Sequence, residues 1–84
     1  MTIVEKITPN QVKLMRLLLQ VNREITRKEI IEKIGLNPTS LQFAIKPMDG
    51  HFINVKKEGN KDLLTLTEAG EMAIQAFNLA NENY

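Results

Sequence analysis

The segment 35–38, with the sequence GLNP, constrains the fold of this chain more than any other stretch, because it must separate two helices. Glycine favours the left-handed conformation that ends many helices. Asparagine followed by proline is typical of a helix N-cap and its first helical position. Residues 25–34 and 38–46, on either side, carry apolar side chains at helical spacing. The sequence therefore predicts two short helices joined by a tight turn.

A second feature is a helix-start pattern that occurs twice. In ITPNQV, residues 7–12, Thr8 has the position of an N-cap and Gln11 that of the residue closing a capping box. In ITRKEI, residues 25–30, Thr26 and Glu29 have the same spacing. We expect one helix from Pro9 to about residue 22 and another from residue 27 to the glycine at 35.

The third predicted helix, residues 38–46, has two distinct faces. Leu41, Ala44 and Ile45 fall on one side. The opposite side carries Thr39, Gln42, Phe43 and Lys46 within about a third of the helix circumference. Pro47 must end or kink the helix. A helix of about 13 Å remains, which suits insertion into one major groove of DNA.

The pattern changes to strands after residue 50. Residues 52–56 and 63–66 read as a β-hairpin around the polar connection 57–62, with lysines at 56, 57 and 61 near its tip. Thr67 then caps a last helix whose apolar residues recur at helical spacing, namely Ala69, Met72, Ala73, Ala76, Phe77 and Ala80. Residues 81–84 are expected to form a frayed tail. The predicted fold class is therefore α+β and mainly α.

Length and residue content bound the remaining choices. The 84 residues show no internal repeat, so we expect one domain over 1–84 with its core at about 7–77. The chain has no cysteine, which excludes disulfides and a thiolate zinc site. Its longest aliphatic run is Leu17–Leu19 and its first apolar stretch contains Glu5, so we expect no signal peptide and no membrane span. The absence of cysteine favours a reducing, cytoplasmic setting.

The residues that most often carry catalysis are scarce. His51 and Ser40 are the single histidine and serine, and neither has a neighbouring pattern for nucleophilic catalysis. The four glycines are far apart, which argues against a phosphate-binding loop. We expect no enzyme activity, no metal and no cofactor.

Charge is unevenly distributed along the chain. Residues 1–61 hold eleven Lys and Arg against six Asp and Glu, a net +5, whereas residues 62–84 carry −4. Such asymmetry favours a protein with one face for a polyanion and another turned away from it.

Together these features resemble the winged helix-turn-helix family of DNA-binding domains, and among them small MarR-like transcriptional regulators. The likeness covers about residues 7–77. It rests on TRKEIIEKIGLNPTSLQFAIKPM as the helix-turn-helix, FINVKKEGNKDLLTLT as the wing and LTEAGEMAI as the start of the helix after the wing.

The resemblance implies roles for specific residues. Helix 38–46 would be the recognition helix in the major groove, and the hairpin tip 56–62 would be the wing on the DNA backbone. Base contacts would come from Thr39, Ser40, Gln42, Phe43 and Lys46, with Gln42 suited to adenine N6 and N7 and Phe43 to a thymine methyl. Backbone contacts would come from Arg27, Lys28, Pro38, Lys56, Lys57 and Lys61.

The leading hypothesis is thus a sequence-specific, double-stranded DNA-binding transcriptional regulator. A homodimer would form through the N-terminal segment and the C-terminal helix 68–80, whose alanine-rich stripe fits either a dimer interface or the core. One alternative is a winged protein-interaction module that does not bind DNA, with Phe43 as its anchor. Another is an accessory DNA-binding protein in phage or plasmid replication.

Overall fold

Four α-helices and one three-stranded antiparallel sheet make up residues 7–82, the part of the chain that the computed structural model describes. The elements in chain order are α1 (Pro9–Val21), β1 (Ile25–Thr26), α2 (Arg27–Ile34), α3 (Pro38–Ile45), β2 (Ile53–Glu58), β3 (Lys61–Leu66) and α4 (Glu68–Glu82). The strand order in the sheet is β1-β3-β2. This is the architecture of a winged helix, and the predicted mainly helical α+β class is confirmed.

The start of α1 is the predicted capping box. Thr8 Oγ1 accepts a hydrogen bond from the Gln11 backbone N–H at 3.2 Å, and Gln11 Oε1 accepts from the Thr8 backbone N–H at 3.0 Å. Gln11 is also buried, and its Nε2 donates to the Ala44 carbonyl of α3 at 3.3 Å. The cap of the first helix therefore also fixes the third helix. Asn22, in left-handed conformation, ends α1 as expected.

The predicted capping box of α2 is half formed. Thr26 Oγ1 accepts from the Glu29 backbone N–H at 3.2 Å, but the Glu29 carboxylate binds Arg23 at 2.6 Å. The Glu29 side chain is therefore turned toward Arg23, and Thr26 also belongs to strand β1, where it pairs with Leu63 of β3. The sequence analysis did not predict this two-residue strand.

The turn between α2 and α3 has the predicted chemistry. Gly35 adopts φ 72° and donates its N–H to the Ile31 carbonyl at 2.9 Å, while Asn37 Oδ1 caps α3 by accepting from the Ser40 N–H at 2.8 Å. Lys46 is the C-cap of α3, and the helix stops before Pro47 without a kink. Both helix boundaries therefore follow from local side-chain chemistry.

The β2–β3 hairpin is paired to its tip. Glu58 lies opposite Lys61, which leaves Gly59 and Asn60 as a two-residue turn with φ 64° at the glycine. A positive φ at the first central residue is the mark of a type II′ hairpin turn, for which glycine is favoured. The predicted polar connection 57–62 was too long. The turn has only two residues, so β2 continues through Lys57 and β3 already begins at Lys61.

The core surrounds α1, which packs against every other helix and against β3. Every helix and strand contributes at least one fully buried side chain, and these are Leu14, Met15, Leu18, Ile25, Ile30, Leu41, Ile45, Ile53, Leu64 and Ile74. Arg16 adds a polar link to α4, with its Nε 2.7 Å from Asn78 Oδ1 and its guanidinium carbon 5.6 Å from the centre of the Phe77 ring.

The face of α4 that packs on the core differs from the predicted stripe. Thr67 caps the helix as expected, through Oγ1 accepting from the Gly70 N–H at 3.0 Å. The buried residues are Gly70, Ala73 and Ile74, whereas most of the predicted stripe is exposed, namely Ala69, Met72, Ala76 and Ala80. Ala73 and Phe77 of the predicted stripe do face the core, but Gly70 and Ile74 complete the packed face in place of the other four residues. The predicted tail 81–84 overlaps the end of α4, and its last two residues lie outside the described range.

Candidate nucleic-acid interface

The two predicted faces of α3 are present. Leu41, Ala44 and Ile45 are buried, and the opposite side exposes four predicted contact residues, Thr39, Gln42, Phe43 and Lys46. At about 100° per residue these four span roughly 100° of the helix surface, with Gln42 at one edge and Phe43 at the other. Ser40, beyond the Phe43 edge, is partly buried.

The Gln42 edge of α3 is joined to α2 and to the hairpin through Arg27. The Nη1 atom of Arg27 donates to Gln42 Oε1 at 2.8 Å, and its Nε donates to Asp62 Oδ2 at 2.7 Å. The Arg27 and Asp62 side chains are 31% and 19% exposed, so the ion pair is partly shielded from water. Charged hydrogen bonds of this kind are short and strong. Arg27 was predicted to contact the DNA backbone, and no sequence signal indicates either of these partners.

The pairing register separates the three wing lysines. Lys57 lies opposite Asp62, and successive side chains of a strand point to opposite faces of the sheet. Lys57 therefore shares the face of Val55 and Asp62, while Lys56 and Lys61 lie on the other face. Lys56 Nζ is 3.9 Å from Glu24 and 4.0 Å from Glu58, so acids partly offset its charge.

A cleft of about 310 Å³ lies between the start of α2 and the tip of the hairpin. It brings together three of the predicted backbone-contacting residues, and its lining consists of Thr26, Arg27, Lys28, Asn60, Lys61 and Asp62. Basic side chains beside a helix N-terminus favour an anion such as a DNA phosphate. Proximity in the fold thus joins residues that are more than thirty positions apart in the sequence.

The Phe43 edge of α3 faces the start of α1. The Phe43 side chain is 72% exposed, and it lines a shallow groove of about 370 Å³ with Thr8, Asn10, Gln11, Ser40, Ala44 and Pro47. Pro38 is exposed at the first position of the helix. The face therefore has a polar edge beside the wing and an apolar edge beside α1.

Other candidate chemistry is sparse over residues 7–82. No three His, Cys, Asp or Glu side chains in this range lie together as a metal site would require. His51 is exposed, and its backbone makes two hydrogen bonds: its carbonyl accepts from Thr67 Oγ1 at 2.7 Å, and its N–H donates to the Met48 carbonyl at 2.9 Å. Within the same range no helix has the length and apolar character needed to cross a membrane.

Comparison with known proteins supports the fold. No protein-family model matches the sequence, and no curated protein matches it with significance. The structure is similar to that of Sso10a-2, a DNA-binding protein from Sulfolobus solfataricus, with a TM-score of 0.68 and 19% sequence identity. The likeness covers 90% of this chain and 83% of that protein. It supports a winged-helix domain and does not single out the MarR-like regulators.

Proposed function

We propose that this chain is a sequence-specific, double-stranded DNA-binding protein that regulates transcription. The observation that carries the proposal is the outward face of α3, where Thr39, Gln42, Phe43 and Lys46 are exposed on a helix whose other side is locked into the core. Sso10a-2, which has a similar fold, is described as DNA-binding.

The recognition helix of the proposal is α3 in the major groove. An eight-residue helix is about 12 Å long, which matches the roughly 12 Å width of the groove. Thr39 and Lys46 lie at the centre of the exposed arc, where they would meet bases and flanking phosphates. Phe43 would pack on a thymine methyl, and Ser40 would bind at the edge of the groove.

The backbone contacts of the proposal come from two sides of α3. Lys28, Lys61 and the guanidinium of Arg27 surround the cleft at the start of α2, and Lys57, on the other face of the hairpin from Lys61, would contact a further phosphate. Pro38 would pack against the sugar-phosphate chain. Phosphate contacts set the register of the protein on the duplex, while base contacts choose the sequence.

A homodimer is part of the proposal, since one small winged domain reads too few base pairs to be selective alone. The exposed stripe of α4 is the surface we assign to it, with Met72 and Leu79 each 65% exposed and Ala69, Ala76 and Ala80 beside them. The N-terminal segment named in the sequence analysis lies largely outside the described residues. Regulation would then follow from dimer formation and from competition at the promoter in the cytoplasm, without catalysis.

One observation favours a second candidate, a protein-interaction module. Phe43 is a large aromatic side chain that is 72% exposed beside Pro47, and exposed aromatic residues are common anchors of protein interfaces. In this alternative the α3 face would contact a partner protein and DNA would not bind.

Titration of labelled duplex DNA at several salt concentrations tests the proposal. If each protomer neutralises four phosphates, log K should fall against log salt with a slope of about −3.6. A randomised duplex pool should also yield enriched sequences, since the proposal requires base readout. Absence of binding at low salt would reject DNA binding in favour of the interaction module, and binding without enrichment would reject sequence specificity.

A further inference from the structure

The side-chain amide of Gln42 has a defined orientation. It carries one oxygen, which accepts hydrogen bonds, and one NH2 group, which donates two. A guanidinium only donates, so the atom that lies 2.8 Å from Arg27 Nη1 must be the oxygen. The NH2 group is the half of the amide that Arg27 does not hold, and the Gln42 side chain is exposed.

The wing holds Arg27 in the position that imposes this orientation. Arg27 Nε donates to Asp62 Oδ2 at 2.7 Å, and Asp62 is only 19% exposed. The backbone of Asp62 is fixed in turn by pairing with Lys57 in the hairpin. Three elements thus orient the amide before any ligand binds.

We propose that Arg27 makes Gln42 a hydrogen-bond donor toward the major groove, so that the protein selects a G·C pair at the position Gln42 reads. This inference rests on the proposed DNA-binding function and deepens it. Guanine presents two adjacent acceptors, N7 and O6, which match the two hydrogens of the NH2 group. Arg27 is then a positioning residue that sets specificity through Gln42.

The same geometry disfavours the adenine contact that glutamine makes in many complexes. A bidentate contact to adenine needs the amide oxygen for N6 and the NH2 group for N7. In this protein the oxygen is turned toward Arg27 and one of its two lone pairs is already used, so adenine N6 would have to reach the second lone pair beside the guanidinium, whereas guanine needs only the NH2 group. We therefore expect a preference for G·C over A·T of about tenfold at this position.

Binding-site selection from a randomised duplex pool tests the inference with the full chain and two variants. Gln42→Ala identifies the position, because its base preference should become flat while the rest of the selected site is retained. Gln42→Glu keeps an acceptor for Arg27 but has no hydrogen to donate. It should lose the guanine and gain cytosine on the same strand, since cytosine N4 is a donor.

A variant of the positioning residue provides the second readout. Arg27→Met keeps a long side chain but releases the Gln42 oxygen, so the preference should move from G·C toward A·T, and circular dichroism would verify folding. If Arg27→Met does not fold, the base selected by the Gln42→Glu variant tests the inference in its place. As a chemical check, 7-deazaguanine at the assigned position should weaken binding by the wild-type protein.

The outcomes separate the inference from the function beneath it. Selection of A·T by the wild-type protein at the position that Gln42→Ala flattens would overturn the inference while leaving DNA binding intact. Enriched sites that Gln42→Ala leaves unchanged would also overturn it, because Gln42 would then read no base. Failure of the wild-type protein to bind any duplex in the salt titration would instead reject the proposed function.

Discussion

Arg27 and Gln42, fifteen residues apart, are joined by a hydrogen bond of 2.8 Å between the guanidinium Nη1 and the amide Oε1. The bond links the first residue of α2 to the exposed face of α3. Because Arg27 also pairs with Asp62 in β3, a movement of the wing changes the environment of the proposed base-reading side chain. Affinity and specificity are therefore expected to depend on the same few atoms.

Substitution of Asp62 by Asn should destabilise the fold through this link. The variant removes the charge that Arg27 pairs with in a partly shielded site, and we expect the free energy of unfolding to fall by about 1–2 kcal/mol in urea denaturation. The matched control is Glu58→Gln at the exposed wing tip, where the distance to Lys56 is 4.0 Å and little change is expected. Equal effects of the two variants would argue against a special role for Asp62.

Gly70→Ala should destabilise the protein even though alanine favours helices. A Cβ at this position would overlap the Phe52 carbonyl oxygen and lie 2.8 Å from Leu66 Cδ1. We expect a loss of about 1–3 kcal/mol from overpacking, measured by thermal or urea unfolding. At exposed Ala76 on the same helix, Ala76→Gly should cost about 1 kcal/mol from helix propensity alone. A Gly70→Ala protein as stable as wild type would show that α4 packs differently.

The pair between Glu29 and Arg23 predicts an acid-sensitive contribution to stability. The hydrogen bond from Arg23 holds the pKa of Glu29 below its usual value, and the positive charges of Arg23 and Lys33 add to this effect. A lowered folded-state pKa means that the contribution is present above the usual glutamate pKa and is lost as the pH falls below it, through the lowered pKa of the folded state. The difference in urea midpoint between wild type and Glu29→Gln should therefore shrink over this range. A constant difference would contradict the prediction.

Lys57→Ala should reduce the salt dependence of DNA binding. Lys57 shares a sheet face with Asp62 and, in the proposed complex, contacts a phosphate. Its removal should make the slope of log K against log salt less steep by about 0.9 per protomer. Lys33→Ala is the control, since Lys33 lines a groove between α1 and α2 with Lys13 and Gln20. If Lys33→Ala changed the slope as much as Lys57→Ala, DNA would not be seated on the wing.

Met72→Lys should disrupt the proposed dimer without unfolding the chain. Met72 is 65% exposed on the apolar stripe of α4, so a charge there would oppose its burial between two copies. Light scattering across a concentration series should show a shift toward the monomer mass. Gln75→Lys adds the same charge on an exposed position beside the stripe and should shift it less. A wild-type protein that is monomeric at all concentrations would reject the dimer.

Local side-chain chemistry accounts for the parts of the fold that the sequence predicted. Caps at Thr8, Thr26 and Asn37, the left-handed Gly35 and the stop before Pro47 depend on neighbours within four residues. For this reason the helix boundaries could be predicted from the types of the capping residues, and the two faces of α3 from the spacing of its apolar residues.

The parts that could not be predicted depend on contacts distant in sequence. Strand β1 has two residues and exists because Ile25 pairs with Leu64. The inward face of α4 is chosen by the fit of Gly70 against Phe52, and no periodicity distinguishes it from the exposed stripe. The partners of Arg27 lie fifteen and thirty-five positions away, so its role in the candidate site became visible only in three dimensions.

The hairpin is paired up to a turn of two residues, Gly59 and Asn60. The paired strands hold the turn at a fixed distance from the base of the hairpin, about 20 Å for six residues at about 3.3 Å each. Strand length therefore sets the distance between the major groove that α3 would enter and the phosphates that the hairpin tip would contact. Lengthening each strand by one residue, without altering any other side chain, would move the tip and so change which phosphates along a duplex it can reach.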